Sequence, residues 1–199
     1  EKSRNLMTVR IAQNLGIEKI AKFAKELNIY ENPEQLLSLS LGSSETTLLK
    51  LTSAYCSFVN GGKLIIPKFI DRIQDSEGNT IFNSENRECQ GCDQISYVSE
   101  NIPKIKNNFK QVISKETAYQ MTSILEGTVK RGTAKKLKDL NLDLAGKTGT
   151  TNKNTDTWFI GFSSNFVIGV YVGYDNPSSL GRYETGSRTA MPIFKNFVK

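Results

Sequence analysis

Two short polar clusters stand near opposite ends of the sequence. One is Ser3-Arg4-Asn5, and the other is Lys147-Thr148-Gly149-Thr150-Thr151. Brought together, they hold the groups an acyl-transfer site needs. Lys147 would point into a cleft as a cation and attract a substrate carboxylate, with the Thr148 and Thr150 hydroxyls as donors beside it. Gly149 has no side chain, so an extended peptide can lie along the strand and pair with its backbone. The Thr150 backbone N–H can donate to a developing oxyanion. Across the cleft, Ser3 would relay a proton and Asn5 would hold a substrate amide. By spacing alone, Lys147-Thr148-Gly149 also fits an ordinary strand end with a turn glycine, and Ser3 fits a helix N-cap.

Composition removes several competing chemistries. The 199 residues include 0 His. Ser-His-Asp and Cys-His arrangements, His-containing zinc sites and the usual base with a pKa near 7 are therefore excluded. Acid–base work falls to Lys, Asp, Glu, Tyr, Cys or an activated hydroxyl. A surplus of 26 Lys and Arg over 20 Asp and Glu gives a net charge of +6. That charge suits either a solvated basic surface or an anionic partner. The densest basic stretch, Lys130-Arg131 through Lys135-Lys136 to Lys138, is modest and has no nucleic-acid-binding signature beside it.

The cysteines divide into two kinds. Cys56 lies in an apolar helical stretch and reads as a core residue. Cys89 and Cys92 form a C-x-x-C in a polar segment, and no second pair or His completes a zinc site. A local disulfide in an oxidising compartment is the favoured reading, with two unpaired surface thiols as the alternative. No metal is expected.

Helical periodicity dominates the first third. Residues 5–14 read as a helix stopped by Gly16. Ile17, Ile20, Ala21, Ala24 and Leu27 then mark one face of a second helix. Asn32-Pro33-Glu34-Gln35 carries a helix-start signal. A third helix is predicted from about Thr46 to Val59, ending at Asn60-Gly61-Gly62. Residues 63–75 and 80–82 read as an edge hairpin around Glu77-Gly78-Asn79. Residues 84–113 read as a polar insertion, and a helix runs from about Ser114 to Lys130. Three strands follow as an antiparallel meander: 142–151, 158–162 and 166–174. Pro192 opens a last short helix. Helices segregated from antiparallel strands define an α+β class. The apolar fraction of 38% suits a globular core, and no run reaches the length of a membrane-spanning helix.

The wider sequence resembles the C-terminal part of the transpeptidase domain of class A, bifunctional penicillin-binding proteins. The matching stretches are residues 1–10, Leu41-Gly42-Ser43-Ser44-Glu45-Thr46-Thr47, Ser53-Ala54-Tyr55 and Asn60-Gly61-Gly62. Gly127-Thr128-Val129, Arg131-Gly132-Thr133-Ala134, residues 145–152, Asp156, residues 158–162 and 171–177, and Ala190-Met191-Pro192 match as well. Ser3 and Asn5 correspond to that family's second motif, and Lys147, Thr148 and Gly149 to its third. Thr150 corresponds to the oxyanion-hole position, and Thr151 continues the substrate-lining strand.

The resemblance implies a penicilloyl serine transferase fold, a five-stranded antiparallel sheet flanked by helices. It implies peptidoglycan cross-linking through a serine acyl-enzyme, with D-Ala-D-Ala stem peptides as substrates, β-lactams as mimics and no cofactor. It places the protein on the periplasmic face of the bacterial inner membrane. No nucleic-acid partner is expected, and membrane attachment would be only through an N-terminal anchor outside this chain.

One departure qualifies these expectations. The family's first motif, S-x-x-K, carries the nucleophilic Ser and its Lys base, and no S-x-x-K occurs here. Residues 1–199 are accordingly expected to be the second part of one transpeptidase domain, inactive alone and prone to self-association through an exposed sheet edge. The rivals are a serine β-lactamase-like hydrolase of the same fold and a non-catalytic basic module binding an anionic polymer.

Overall fold

The computed structural model describes residues 1–84, 89–90, 92, 104–105 and 108–199, without the side chains of Cys89, Gln90 and Lys104. The chain forms two compact units, one from residues 1–65 with 111–199 and one from residues 66–110.

The larger unit opens with α1 (Asn5–Leu15) and α2 (Ile17–Glu26), separated by Gly16 at φ 92°. A single glycine in the left-handed range lets one helix end and the next begin without a longer loop. The predicted face of α2 is the buried one, with Ala21, Ala24 and Leu27 in the core. No α-helix follows Pro33. Residues 32–36 lead instead to a 3-10 turn, Leu37–Leu41, closed by Gly42 in the left-handed conformation. Only Leu39 is buried there, too little apolar anchoring to stabilise a longer helix against its nucleation cost.

Next is α3 (Leu48–Val59), whose N-cap Thr47 accepts a hydrogen bond from the Lys50 N–H at 3.2 Å. The helix stops at Asn60, whose side chain accepts from the Lys63 N–H at 2.9 Å and donates to the Lys63 carbonyl at 3.0 Å. Cys56 is a free, half-buried thiol on this helix, not a fully buried core residue. α4 (Lys115–Arg131) is capped by Ser114, which accepts from the Thr117 N–H at 3.2 Å, and it ends at Gly132.

The meander is β5 (Ala145–Thr150), β6 (Asp156–Phe162) and β7 (Val167–Gly173), in spatial order β5-β6-β7 and wholly antiparallel. Short connections force this topology. One face of the sheet carries Ala145 and Phe162, which pack with Leu125 of α4 against Tyr55, Phe58 and Val59 of α3. The other face carries Phe159, which packs with Leu137, Leu144, Met191 and Phe194. Phe194 belongs to α5 (Ala190–Val198), which begins two residues before Pro192. The sheet is thus a layer between helices, as the α+β reading requires. Among the described residues it has three strands, not the five of the family fold.

In the smaller unit, β1 (Arg72–Gln74) and β2 (Thr80–Asn83) form the antiparallel hairpin. Its first strand is much shorter than the predicted run, and residues 64–71 are not a strand. Both strands are exposed, so alternation there has no core to serve. Two further two-residue strands, β3 (Cys89–Gln90) and β4 (Lys104–Ile105), pair antiparallel. Most of the remaining 84–113 insertion lies outside the described residues, as does the Cys89 side chain. Cys92 is disulfide-bonded.

Candidate active site

Among the described residues β5 is an edge strand, with β6 on one side only. Its register with β6 pairs Lys147 with Ile160, Thr148 with Phe159 and Gly149 with Trp158. The Gly146 carbonyl accepts from Thr128 Oγ1 at 2.7 Å, and the Thr148 carbonyl accepts from Lys147 Nζ at 2.8 Å. Both carbonyls therefore point away from β6. The two-residue period of the ladder puts the Thr150 N–H on the same outer edge, where it can meet an incoming oxygen.

The two polar clusters converge on this edge. Lys147 Nζ donates to Ser3 Oγ at 2.6 Å, although 144 positions separate the two residues. Ser3 does not cap α1. The N-cap position is Arg4, which makes no side-chain cap bond, while Ser3 sits one residue earlier at φ 49°. That left-handed backbone turns the hydroxyl away from the helix start and toward β5. Burial pulls the Lys147 ammonium below its ordinary pKa of 10.5, because desolvation disfavours the charged form. Asn5 is the first residue of α1, exposed, and makes no side-chain hydrogen bond among the described residues.

The threonines divide their duties. Thr148 Oγ1 and Thr133 Oγ1 share a hydrogen bond at 3.0 Å. Thr150 Oγ1 accepts from the Gly186 N–H at 3.0 Å. Its hydroxyl is thereby tied to the loop preceding α5, and its backbone N–H is what it presents outward. Thr151 lies beyond the end of β5, and its hydroxyl accepts from the N–H groups of Thr155 and Asp156 at 3.0 and 2.9 Å. It closes the turn into β6 and does not extend the strand. Gly186 lies so close to the sheet that a Cβ there would fall 2.5 Å from the carbonyl oxygens of both Gly149 and Trp158.

Gly149 itself is less free than its sequence suggests. A Cβ at this position would come within 3.1 Å of Trp158 Cβ, and the Trp158 ring is held edge-on to Tyr171 at 4.8 Å. A bulky residue here would press on that stack as well as on the groove. Gly149→Val is therefore expected to strain the sheet at Trp158 as well as block the groove, lowering the melting temperature along with acylation.

Residue type and spacing do not single out Thr133 or Gly186 as site residues. Thr133 follows a helix-ending glycine, which marked the position without its role. Nothing in the polar stretch around Gly186 signals a close approach to β5. Among the described residues, no three His, Cys, Asp or Glu side chains cluster as metal ligands, and no helix is long and apolar enough to cross a membrane.

An edge strand carrying Lys-Thr-Gly, a serine hydroxyl on its lysine and helices on both faces of the sheet define a class. The chain belongs to the penicillin binding protein transpeptidase domain family, whose model matches residues 1–199. It is 46% identical over 202 residues to penicillin-binding protein 1A of Rickettsia bellii (strain RML369-C), covering 100% of this chain and 25% of that protein. It is 32% identical over 228 residues to penicillin-binding protein 1A of Pseudomonas aeruginosa, covering 99% and 28%. The crystal structure of penicillin-binding protein 1A from Haemophilus influenzae superposes with a TM-score of 0.83 at 32% identity, over 99% of this chain and 32% of that one. The chain thus spans about a quarter of the length of the curated relatives it matches. The expected family resemblance and α+β class are borne out.

Proposed function

We propose that this chain supplies the Lys147–Ser3 wall of a peptidoglycan D,D-transpeptidase, at the periplasmic face of a bacterial inner membrane, and that β-lactams react at the same site. The observation that carries this reading is the 2.6 Å hydrogen bond from Lys147 Nζ to Ser3 Oγ. The nucleophilic serine and its lysine base lie outside this chain.

In this mechanism the nucleophile attacks the carbonyl of a D-Ala-D-Ala bond, and the developing oxyanion takes a hydrogen bond from the Thr150 N–H. Ser3 accepts from the Lys147 ammonium, so its own proton is free to point at the departing nitrogen. That nitrogen takes the Ser3 proton and leaves as D-Ala, and Ser3 is reprotonated by the lysine base, which received the proton of the attacking serine. The amine of a second stem peptide then displaces the enzyme serine from the acyl group. Lys147 and the Thr148 hydroxyl hold the terminal carboxylate through charge and hydrogen bonding.

The test is labelling with a fluorescent penicillin. The full-length protein carrying this chain is expected to be acylated stoichiometrically, and the 199-residue chain alone is expected to remain unlabelled. A full-length protein that never forms the adduct removes the transpeptidase reading.

The lowered Lys147 pKa sets the pH dependence. The protonated amine is the anchoring form, so acylation is expected to fall as pH rises through a value below the ordinary 10.5. Lys147→Arg should move that alkaline limb upward, because a guanidinium keeps its proton. A limb that stays in place in the arginine variant would assign the titration to another group. The same shift makes stability rise with pH between the lowered value and the ordinary one, where the unfolded chain binds the extra proton.

A further inference from the structure

We infer that the C-terminal end of α4 with the two residues after it, Gly127 to Thr133, is a positioning bracket that holds the Ser3 segment against Lys147 through Glu1. This rests on the transpeptidase reading for its consequence in catalysis, though not for its geometry.

One side of the bracket grips β5. The buried Thr128 hydroxyl donates to the Gly146 carbonyl at 2.7 Å, and Thr133 shares a hydrogen bond with Thr148 at 3.0 Å. The other side grips Glu1. Arg131 Nε donates to Glu1 Oε2 at 2.8 Å and Arg131 Nη2 to Oε1 at 2.5 Å, a two-pronged contact, while the Thr133 N–H donates to the Glu1 carbonyl at 3.3 Å. Both grips come from one short segment, Thr128 to Thr133, so the spacing between β5 and residues 1–3 is set by a single piece of backbone. The Ser3 hydroxyl, two residues from Glu1, is thereby set on Lys147 Nζ.

The glycines fit this role. A Cβ on Gly127 would fall 2.2 Å from Glu1 Oε1, and one on Gly132 would fall 2.4 Å from the Glu1 carbonyl oxygen. Glycine is otherwise a poor choice inside a helix, and at position 127 its benefit is room for the Glu1 carboxylate. The serine also needs holding: a non-glycine residue at φ 49° keeps that backbone only where its surroundings impose it. An exposed arginine–carboxylate pair adds little to folding stability, but its fork geometry fixes orientation.

Gly127→Ala separates positioning from stability. The three atoms nearest a methyl group there all belong to the flexible Glu1 side chain, so the helix survives and gains helix propensity, while the carboxylate is driven off Arg131. In the full-length protein, Gly127→Ala and Arg131→Ala are each expected to slow acylation by a fluorescent penicillin about 10- to 100-fold. The melting temperature of Gly127→Ala should be unchanged or higher. Both changes act through Glu1, so the double variant should be no slower than the worse single one.

Wild-type acylation in Gly127→Ala, or defects that multiply in the double variant, would overturn the bracket. If the unaltered protein is not acylated at all, the transpeptidase reading fails and the bracket is decided in the chain itself by NMR titration of 13C-labelled lysine. Lys147 should titrate closer to its ordinary value in both single variants, because the covering segment has moved. An unchanged Lys147 titration would refute the bracket.

Discussion

Lys147→Ala is expected to lower the acylation rate of the full-length protein by about two orders of magnitude or more. The ammonium is half-buried, and its two hydrogen bonds go to Ser3 Oγ and the Thr148 carbonyl. Under the proposed mechanism, removing it deprives a substrate carboxylate of its cation in a partly desolvated groove, a loss of roughly 3 kcal/mol. It also frees Ser3, which then has no donor fixing the direction of its proton. Both effects bear on the same step, so the loss should appear in the acylation rate and not merely in binding. Lys147→Met keeps most of the volume and removes the charge. If Met acylates like Lys, the cation has no part in the reaction. If Met fails while Arg retains partial activity, the charge is the essential element. Comparison of the unfolding midpoints of these variants guards against misreading a folding defect.

Phe194→Ala should have the largest effect on stability, about 3 to 5 kcal/mol. Its ring is fully buried where α5 meets the sheet. It lies edge-on to Phe159 at 5.0 Å and tilted to Phe166 at 6.5 Å. Gly161 makes room for it: a Cβ there would fall 2.5 Å from the ring. Truncation leaves a cavity between two layers that cannot close, because the β6 backbone on one side is fixed by both neighbouring strands. For a chain of this length, each kcal/mol shifts the melting point by about 2 to 4 °C, so a drop of roughly 6 to 20 °C is expected. Phe194→Leu should lose considerably less. A truncated variant that melts with the wild type would show that α5 is not a structural member of the fold.

The parts of this architecture that the sequence announced are those where local pattern and burial agree. The meander was readable because β6 and β7 are apolar, short-linked and flanked by turn residues, and their register follows from those links. The convergence of Ser3 with Lys147 was expected from residue types and from family resemblance. The backbone that achieves it was not, because a lone serine gives no sign of a left-handed φ. At Asn32-Pro33 the start signal was strong, yet the residues after it bury only Leu39, and local preference without a face to bury makes no helix. Residues 64–71 failed as a strand for a related reason: β-branched character fits a pleated, half-buried surface, and here Ile66 and residues 68–71 are exposed, with no alternating buried face. Thr150 and Thr151 look equivalent in sequence. In space, one hydroxyl serves Gly186 and the other closes a turn, a division that depends on where β5 ends. Gly186 and Arg131 act across long sequence separations, which periodicity cannot show.

The left-handed geometry at Ser3 narrows what evolution or engineering can place there. The proposed proton relay asks for an aliphatic hydroxyl, which only serine and threonine provide. The backbone angle of 49° penalises threonine, whose branched Cβ crowds the adjoining carbonyl in that region. Glycine and asparagine accept the angle but lack the oxygen donor. Of the twenty amino acids a single one satisfies both demands, and the position has no neutral neighbour one substitution away.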